Sequence, residues 1–477
     1  MIPNWLVQRA NLTPNRIALS FDEKEWTFRQ LLDEATNIAQ KLRTNGLQDG
    51  QRIALLGSST PDMVFMIHGC LLAGLEIVML NARLTSSELK WQLADSEAVA
   101  LLLDDQSSFQ FTNLSKPILS FSDIHASGKS ELSMVDRWLP SKTLTIMYTS
   151  GTTGFPKGVR QTAENHTSSA LSSVLNLGLT EHDCWLCTMP LFHISGFSIL
   201  ARSVIYGMTV RLYEKFDEYA VADEIQRGQV TRMSVVAASL QRLLMVMEEQ
   251  NLYASTAFLT MLAGGGPIPV DYLRRARERR LPVLQTYGMT ETSSQTATLS
   301  AEDALRKIGS AGKPLFFNQI KIDVSANDAV GEVLVAGPHV TPGYIGHAAA
   351  VSPTTDGWFP TGDIGYVDED GYLFIVDRRS DLIISGGENI YPAEIENILA
   401  SHPLVVEAGV CGQEDEKWGS VPVAFIVSKG KIVESDLVAY CKQHLAGYKV
   451  PKAFHFVEQL PRNASNKLVR RKLKEWL

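Results

Sequence analysis

The chain has 477 residues, 45% of them hydrophobic, which is enough to bury a sizeable core and to form more than one domain. Its 44 Lys and Arg against 52 Asp and Glu give a net charge of -8, so no global attraction to nucleic acid or to an anionic membrane is expected. Five cysteines without framework spacing exclude a disulfide scaffold.

The N-terminal Met1-Ile2-Pro3-Asn4 has no basic stretch leading into an apolar one, so no secretory signal is expected and the chain reads as cytoplasmic. Arg52 to Leu56 reads as a strand, and Pro61 to Ala73 as a helix capped by Ser58-Ser59-Thr60. Met63 to Leu80 is the best membrane candidate, but His68, Gly69, Gly74 and Glu76 interrupt it. A buried globular helix and no membrane span are expected. Thr85-Ser86-Ser87-Glu88 is a capping box opening the next helix. This alternation of strand-like and helical stretches predicts a mixed α/β body. Cys184-Trp185-Leu186-Cys187 reads as a buried strand, since no second pair or His cluster completes a zinc site. Charged residues from Asp377 to Asp381 separate the β-like runs Tyr372 to Val376 and Leu382 to Ser385. That boundary predicts one domain over 1–377 and a smaller one over 378–477. The basic stretch Lys467 to Lys474 reads as a solvated helix face, Lys467 excepted.

The densest chemical signal lies between Tyr148 and Val159. An apolar run, Leu144 to Tyr148, delivers the chain to Thr149-Ser150-Gly151-Thr152-Thr153-Gly154-Phe155-Pro156-Lys157-Gly158. Glycines let a backbone come close to phosphate, and successive N–H groups form an anion-binding nest. Hydroxyls at Thr149, Ser150, Thr152 and Thr153 add donors, and Lys157 adds a mobile positive charge. Pro156 stands where a Walker A loop continues toward Gly-Lys-Ser/Thr, so P-loop kinases and GTPases are excluded.

This loop resembles the phosphate-binding signature of the adenylate-forming superfamily. Further segments follow in that superfamily's order: Gly264-Gly265-Gly266, Gln285 to Glu291, Thr361-Gly362-Asp363, Asp377 to Asp381, Ser385 to Pro392, and Pro461 to Lys467. The resemblance spans essentially the whole chain. It implies an α/β fold with a large N-terminal adenylate-forming domain of mixed sheets and helices, plus a small mobile α+β C-terminal domain turning about residues 377–381. Ser380 stands where many relatives carry Asp or Lys at the pivot.

The implied chemistry activates a carboxylic acid with ATP and Mg²⁺, forms an acyl-AMP, and transfers the acyl group to coenzyme A. By resemblance, Tyr287 stacks on adenine beside Thr286 and Gly288, Thr290 meets the α-phosphate, and Glu291 holds Mg²⁺. Asp363 takes the ribose hydroxyls, and Arg378 braces ribose or phosphate. Lys467 is the implied catalytic lysine of the first step. Its usual neighbour is Gly, here replaced by Asn466, which tolerates left-handed backbone angles. Ser385, Gly386 and Gly387 are implied beside the pantetheine tunnel.

For the acid, Phe192-His193-Ile194-Ser195 stands where amino-acid-activating relatives usually carry Phe-Asp-x-Ser, so an α-amino substrate is disfavoured. No carrier-protein segment follows Leu477, which disfavours a modular synthetase. Leu80 to Thr85, Asn176 to Leu179, Gln285 to Gln295, Val333 to Tyr344 and Asp377 to Glu396 resemble the o-succinylbenzoate-CoA ligases of menaquinone biosynthesis. That resemblance implies a diacid, 2-succinylbenzoate, met by His193 and Ser195. Arg202 reads either as partner of its non-reacting carboxylate or as a surface arginine. Another aryl- or medium-chain acyl-CoA ligase remains an alternative, as does a catalytically silent nucleotide-binding protein. A homo-oligomer is left open.

Overall fold

The computed structural model describes residues 1–107, 114, 116–131, 133–149, 155–324, 329–385, 388–463 and 466–477. Hydroxyl side chains set its helix starts. Thr60 caps Pro61–Leu72, with proline in the first turn, and accepts from the Met63 N–H at 3.4 Å. Thr85 and Glu88 form the expected reciprocal box at Ser86–Asp95, as Thr162 and Asn165 do at Ala163–Leu177. Pro61–Leu72 is buried nearly all round, which accounts for its apolar run. Among the described residues no helix is long and apolar enough to cross a membrane.

Two large sheets form the body. The first runs, in order, Tyr344–Ile345, Lys157–Thr162, Thr143–Thr149, Glu76–Met79, Arg52–Leu56, Ala100–Leu103 and Ile118–Ser120. Its middle is parallel, with Ile77 opposite Thr145 and Ile53 opposite Ile77. In the second, Val283–Tyr287, Thr260–Ala263, Arg232–Val235, Cys184–Cys187 and Thr209–Leu212 lie side by side and parallel. Parallel strands covered on both faces need near-continuous apolar runs, and both sheets have them. The largest core, including Leu6, Phe28, Ile53, Met63, Phe197 and Leu262, binds strands of both sheets to the helices between them.

A third sheet pairs Gln319–Asp323, Gly331–Ala336, Phe359–Val367 and Leu373–Arg378. A fourth, at the C-terminal end, holds Ile383–Ser385, Glu388–Ile390, Val405–Asp415, Gly419–Ser428 and Phe454–Phe456. Helices Pro392–Ala400 and Glu434–His444 pack on it around a core of its own, with Ile395, Leu399, Val410, Ile426 and Leu437. The fold is therefore mixed α/β, with a large N-terminal and a small α+β C-terminal part.

Asp377, which opens the charged stretch at the junction, is buried. Its Oδ2 accepts from the Ala393 N–H at 2.8 Å. The C-terminal basic stretch is not wholly solvated either: Arg470, its side chain 12% exposed, bridges Glu396 at 2.6 Å, Asp381 at 3.0 Å and Asp377 at 3.1 Å. Three carboxylates converging on one guanidinium outweigh its preference for water.

Within the second sheet, Arg232 and Asp183 form a buried pair, with Nη2 and Nε at 2.9 and 3.0 Å from Oδ2. Removing the charge from one partner strands the other. Asp183→Asn should lower stability by about 3 to 5 kcal/mol, read as a fall in the urea midpoint of unfolding. A shift smaller than about 1 kcal/mol would mean that Thr260 and the Leu177 and Gly178 carbonyls, its other partners, suffice to hold the arginine.

Candidate active site

Strand ends from both large sheets meet at one cleft. Thr149 closes the strand Thr143–Thr149 and lies opposite Lys157, so the two flank the loop between them. Ser150, Gly151, Thr152, Thr153 and Gly154 lie outside the described residues. The Lys157 ammonium sits 5.3 Å from the centre of the Tyr344 ring. From the second sheet, Val283–Tyr287 leads through Gly288 into the single turn Thr290–Thr292. Glycine is obligatory at 288, where a Cβ would stand 1.6 Å from the Ser294 carbonyl oxygen. The two sheets touch here, as Thr149 Oγ1 donates to Glu291 Oε1 at 3.3 Å.

The Thr290-Glu291 turn is held from below. Gln161 Nε2 donates to the Thr290 carbonyl at 2.9 Å, and the Thr341 N–H donates to the Glu291 carbonyl at 2.7 Å. Gln161 is in turn fixed by Thr145 Oγ1 at 2.7 Å, and Thr145 by His166 at 2.8 Å. Thr286 bonds to the Ala297 carbonyl at 3.0 Å, holding the preceding strand.

The third sheet supplies Asp363 and Arg378, which are cross-strand partners. Asp363 Oδ2 accepts from Tyr287 OH at 2.7 Å, and its Oδ1 lies 3.4 Å from Arg378 Nε. Each oxygen thus has one protein partner and keeps lone-pair capacity for another. Burial raises the carboxyls of Asp363 and Glu291 above their ordinary range, and it raises Tyr287 well above its own, with Asp363 adding to the effect.

Lys467 reaches this cleft from the C-terminal part. A Cβ built on Gly265, whose φ is +83°, would meet Lys467 Cε at 2.8 Å and Nζ at 3.3 Å, so the lysine lies along that glycine. Burial lowers its ammonium to about 8, helped by repulsion from Arg378 and opposed by Asp363 and Glu291. Asn466 takes φ +60°, the left-handed angle expected of it, and the Lys467 N–H donates to Asn463 Oδ1 at 2.9 Å. Beside Gly265, a Cβ on Gly264 would press within 2.8 Å of Thr286, whereas Gly266 faces open space.

Within reach of the Lys467 charge, His193 precedes the helix Ile194–Tyr206. Burial, with the charges of Lys467 and Arg83, lowers its imidazole to about 3, so it is neutral at physiological pH. Ser195 is half-buried in the first turn, its carbonyl accepting from Ser198 Oγ at 3.3 Å. Arg202 is fully buried, which rules out the surface reading. It packs on Trp185, 5.3 Å from the ring centre, and its Nη2 donates to Gln295 Oε1 at 2.8 Å and Ser294 Oγ at 3.3 Å. Among the described residues no carboxylate pairs with it, and its Nε has no partner. Ser385 is buried in the C-terminal sheet, opposite Glu388 and Gly419, while Gly386 and Gly387 lie outside the described residues.

The sequence reading missed Gln161 and Gln295. Each is a buried amide whose partners are a backbone carbonyl or a distant hydroxyl or guanidinium. The one available signal is a Gln next to the end of a strand, at Gln161.

Residues 6–345 match the family model described as AMP-binding enzyme, and residues 394–467 match its C-terminal domain. The 2-succinylbenzoate-CoA ligase of Bacillus licheniformis is 49% identical, over 99% of this chain and 99% of its own. The o-succinylbenzoate CoA synthetase from Bacillus subtilis, in complex with the acyl-adenylate intermediate OSB-AMP, overlays with a TM-score of 0.92 at 45% identity, over 99% of this chain and 98% of its own. A double mutant of that synthetase bound with its product analogue OSB-NCoA, at 46% identity and the same coverage, overlays with a TM-score of 0.76. The chain belongs to the AMP-binding enzyme family, among its 2-succinylbenzoate-CoA ligases.

Proposed function

We propose that this chain converts 2-succinylbenzoate to 2-succinylbenzoyl-CoA through an acyl-AMP, releasing AMP and diphosphate. It is an AMP-forming acid-thiol ligase. The observation that carries the reading is the meeting of Lys467 with Gly265, Asp363 and Glu291 in one cleft. A cytoplasmic location is part of the proposal, since ATP and coenzyme A are the co-substrates.

In the first step the substrate carboxylate attacks the α-phosphorus of ATP and diphosphate leaves. Lys467 bridges the incoming carboxylate and the α-phosphate, offsetting negative charge where it accumulates. Thr290 donates to the α-phosphate, while Lys157, Thr149 and the loop from Ser150 to Gly154 hold the outer phosphates. Asp363 accepts from the ribose hydroxyls through its spare lone pairs. Arg378 braces the ribose, and adenine lies between Tyr287 and the Gly264-Gly265-Gly266 segment. Among the described residues no three His, Cys, Asp or Glu gather as a metal cage. Glu291 and Thr149 instead present hard oxygens at the cleft, which fits an ion that arrives on a nucleotide. ATP is taken with Mg²⁺, which when bound neutralises phosphate charge.

In the second step the small domain, 378–477, turns about 377–381, withdraws Lys467, and brings Ser385, Gly386 and Gly387 beside the pantetheine arm. The drop in TM-score from 0.92 for the OSB-AMP complex to 0.76 for the OSB-NCoA complex of its double mutant supports two such arrangements. His193 and Ser195 meet the acyl group. Arg202, a buried cation without a carboxylate, pairs with the non-reacting carboxylate directly or through water, because an uncompensated buried charge is costly.

Lys467→Ala should nearly abolish acyl-AMP formation yet spare thioester formation from supplied acyl-AMP. Equal loss in both half-reactions would remove Lys467 from the role. The lysine is charged well below about 8 and loses its proton as pH rises through that value. The kcat/KM of acyl-AMP formation should therefore fall on the alkaline side of about 8, and the second half-reaction should lack that limb.

Arg202→Ala should reduce kcat/KM for 2-succinylbenzoate by about thirtyfold or more, mainly through KM. Losing one side of a buried charged pair costs about 2 kcal/mol or more. Benzoate, which lacks the second carboxylate, should show no such loss. An unchanged KM for the diacid would assign Arg202 to packing alone.

A further inference from the structure

Besides presenting Lys467, the C-terminal sheet is gripped by the large body at one backbone carbonyl. Val406, in the strand Val405–Asp415, accepts from Tyr272 OH at 3.2 Å and from Gln241 Nε2. Tyr272 and Gln241 are both 5% exposed and come from different helices, Val270–Glu278 and Ala237–Glu249. The next residue, Glu407, pairs with Arg462 at 2.8 Å. Arg462 Nη1 donates to the Asn466 carbonyl at 2.9 Å, and Asn466 is the left-handed residue that precedes Lys467. A continuous set of bonds therefore runs from two helices of the large body to the peptide that aims the lysine.

We propose that Tyr272 and Gln241 are positioning residues for acyl-AMP formation. They latch the C-terminal sheet in the orientation that lays Lys467 along Gly265, and the Glu407–Arg462 pair transmits that alignment to Asn466. The inference rests on the function proposed above. Val406 and Lys467 belong to the same rotating unit, so both bonds to Val406 break when the lysine withdraws. The latch therefore stabilises one arrangement and leaves the other untouched. Two buried hydrogen bonds to one acceptor shift such an equilibrium by about tenfold or more.

The test uses the near-isosteric double variant Tyr272→Phe with Gln241→Met, and separately Glu407→Gln. Acyl-AMP formation from ATP and 2-succinylbenzoate is measured in a single turnover, and thioester formation is measured from supplied acyl-AMP and coenzyme A. The double variant should slow the first about tenfold and leave the second unchanged or faster, with the thermal midpoint within a few degrees of the parent. Glu407→Gln should slow the first step without opening the domains. A fluorescence donor and acceptor on the large body and the C-terminal sheet read that opening with ATP alone. The double variant should lower the closed fraction, whichever acid the enzyme turns over. Equal slowing of both half-reactions, or an unchanged closed fraction, would overturn the latch. Parent enzyme inactive toward 2-succinylbenzoate, with a closed fraction that still responds to the double variant, would instead overturn the substrate assignment and leave the latch standing.

Discussion

The hydrogen bond from Thr149 to Glu291 marks the constraint on which the architecture depends: two parallel sheets must end at the same point. Their carboxyl ends converge because one apolar core packs both against a shared helix layer. Convergence brings charged groups into a poorly solvated space. Glu291 and Asp363 are buried carboxylates there, and Lys157, Arg378 and Lys467 are cations that act on them. Three cations gathered at one place suit a polyphosphate. Burial shifts all three of Glu291, Asp363 and Lys467 toward neutrality; a phosphate would restore the charged form of Lys467, whereas the carboxylates would need a cation or hydroxyl donors to regain theirs.

Much of this cleft was legible because its parts are conformationally specialised. Gly288 admits no side chain, Gly265 holds a left-handed φ against Lys467, and Asn466 adopts a left-handed angle that Asn takes more readily than most residues. Capping boxes at Thr85 and the proline start at Pro61 were equally readable, being local hydrogen-bond chemistry. What escaped the sequence was burial and long-range pairing. The sequence left Arg202 between a carboxylate partner and a surface arginine, and only Trp185 and Gln295 folded around it remove the second reading. Arg470 reads as one more basic residue in a basic tail, yet carboxylates at positions 377, 381 and 396 enclose it. Gln161, Gln241 and Tyr272 bond to backbone carbonyls, and a carbonyl carries no residue identity from which a partner could be inferred.

The acid side shows the same economy. A neutral amide, Gln295, orients the Arg202 guanidinium without cancelling its charge, and it also ties Arg202 to the strand that carries Tyr287, through Thr286 at 3.1 Å. Ser293 and Ser294, both at positive φ, make the turn that places Gln295 beneath the arginine. The residues that the proposal assigns to the acid and to the nucleotide are therefore joined by hydrogen bonds, which would link recognition of the acid to the strand leading to Thr290 and Glu291.

The two kinds of bond across the junction differ in strength in a way that the chemistry requires. Around Arg470, a cation is enclosed by Asp377, Asp381 and Glu396, and breaking such a cluster would leave several buried charges uncompensated. At Val406 the large body offers neutral donors to one carbonyl, bonds that water replaces at small net cost. A joint made only of ion pairs would hold Lys467 in place but would release it slowly. One made only of neutral bonds would leave the turning segment without a fixed reference. In the proposed rotation the charged bonds include Asp377 and Asp381 of the turning segment itself, whereas the neutral bonds to Val406 lie outside it. That distribution would let the lysine be held for acyl-AMP formation and withdrawn before the thiol attacks.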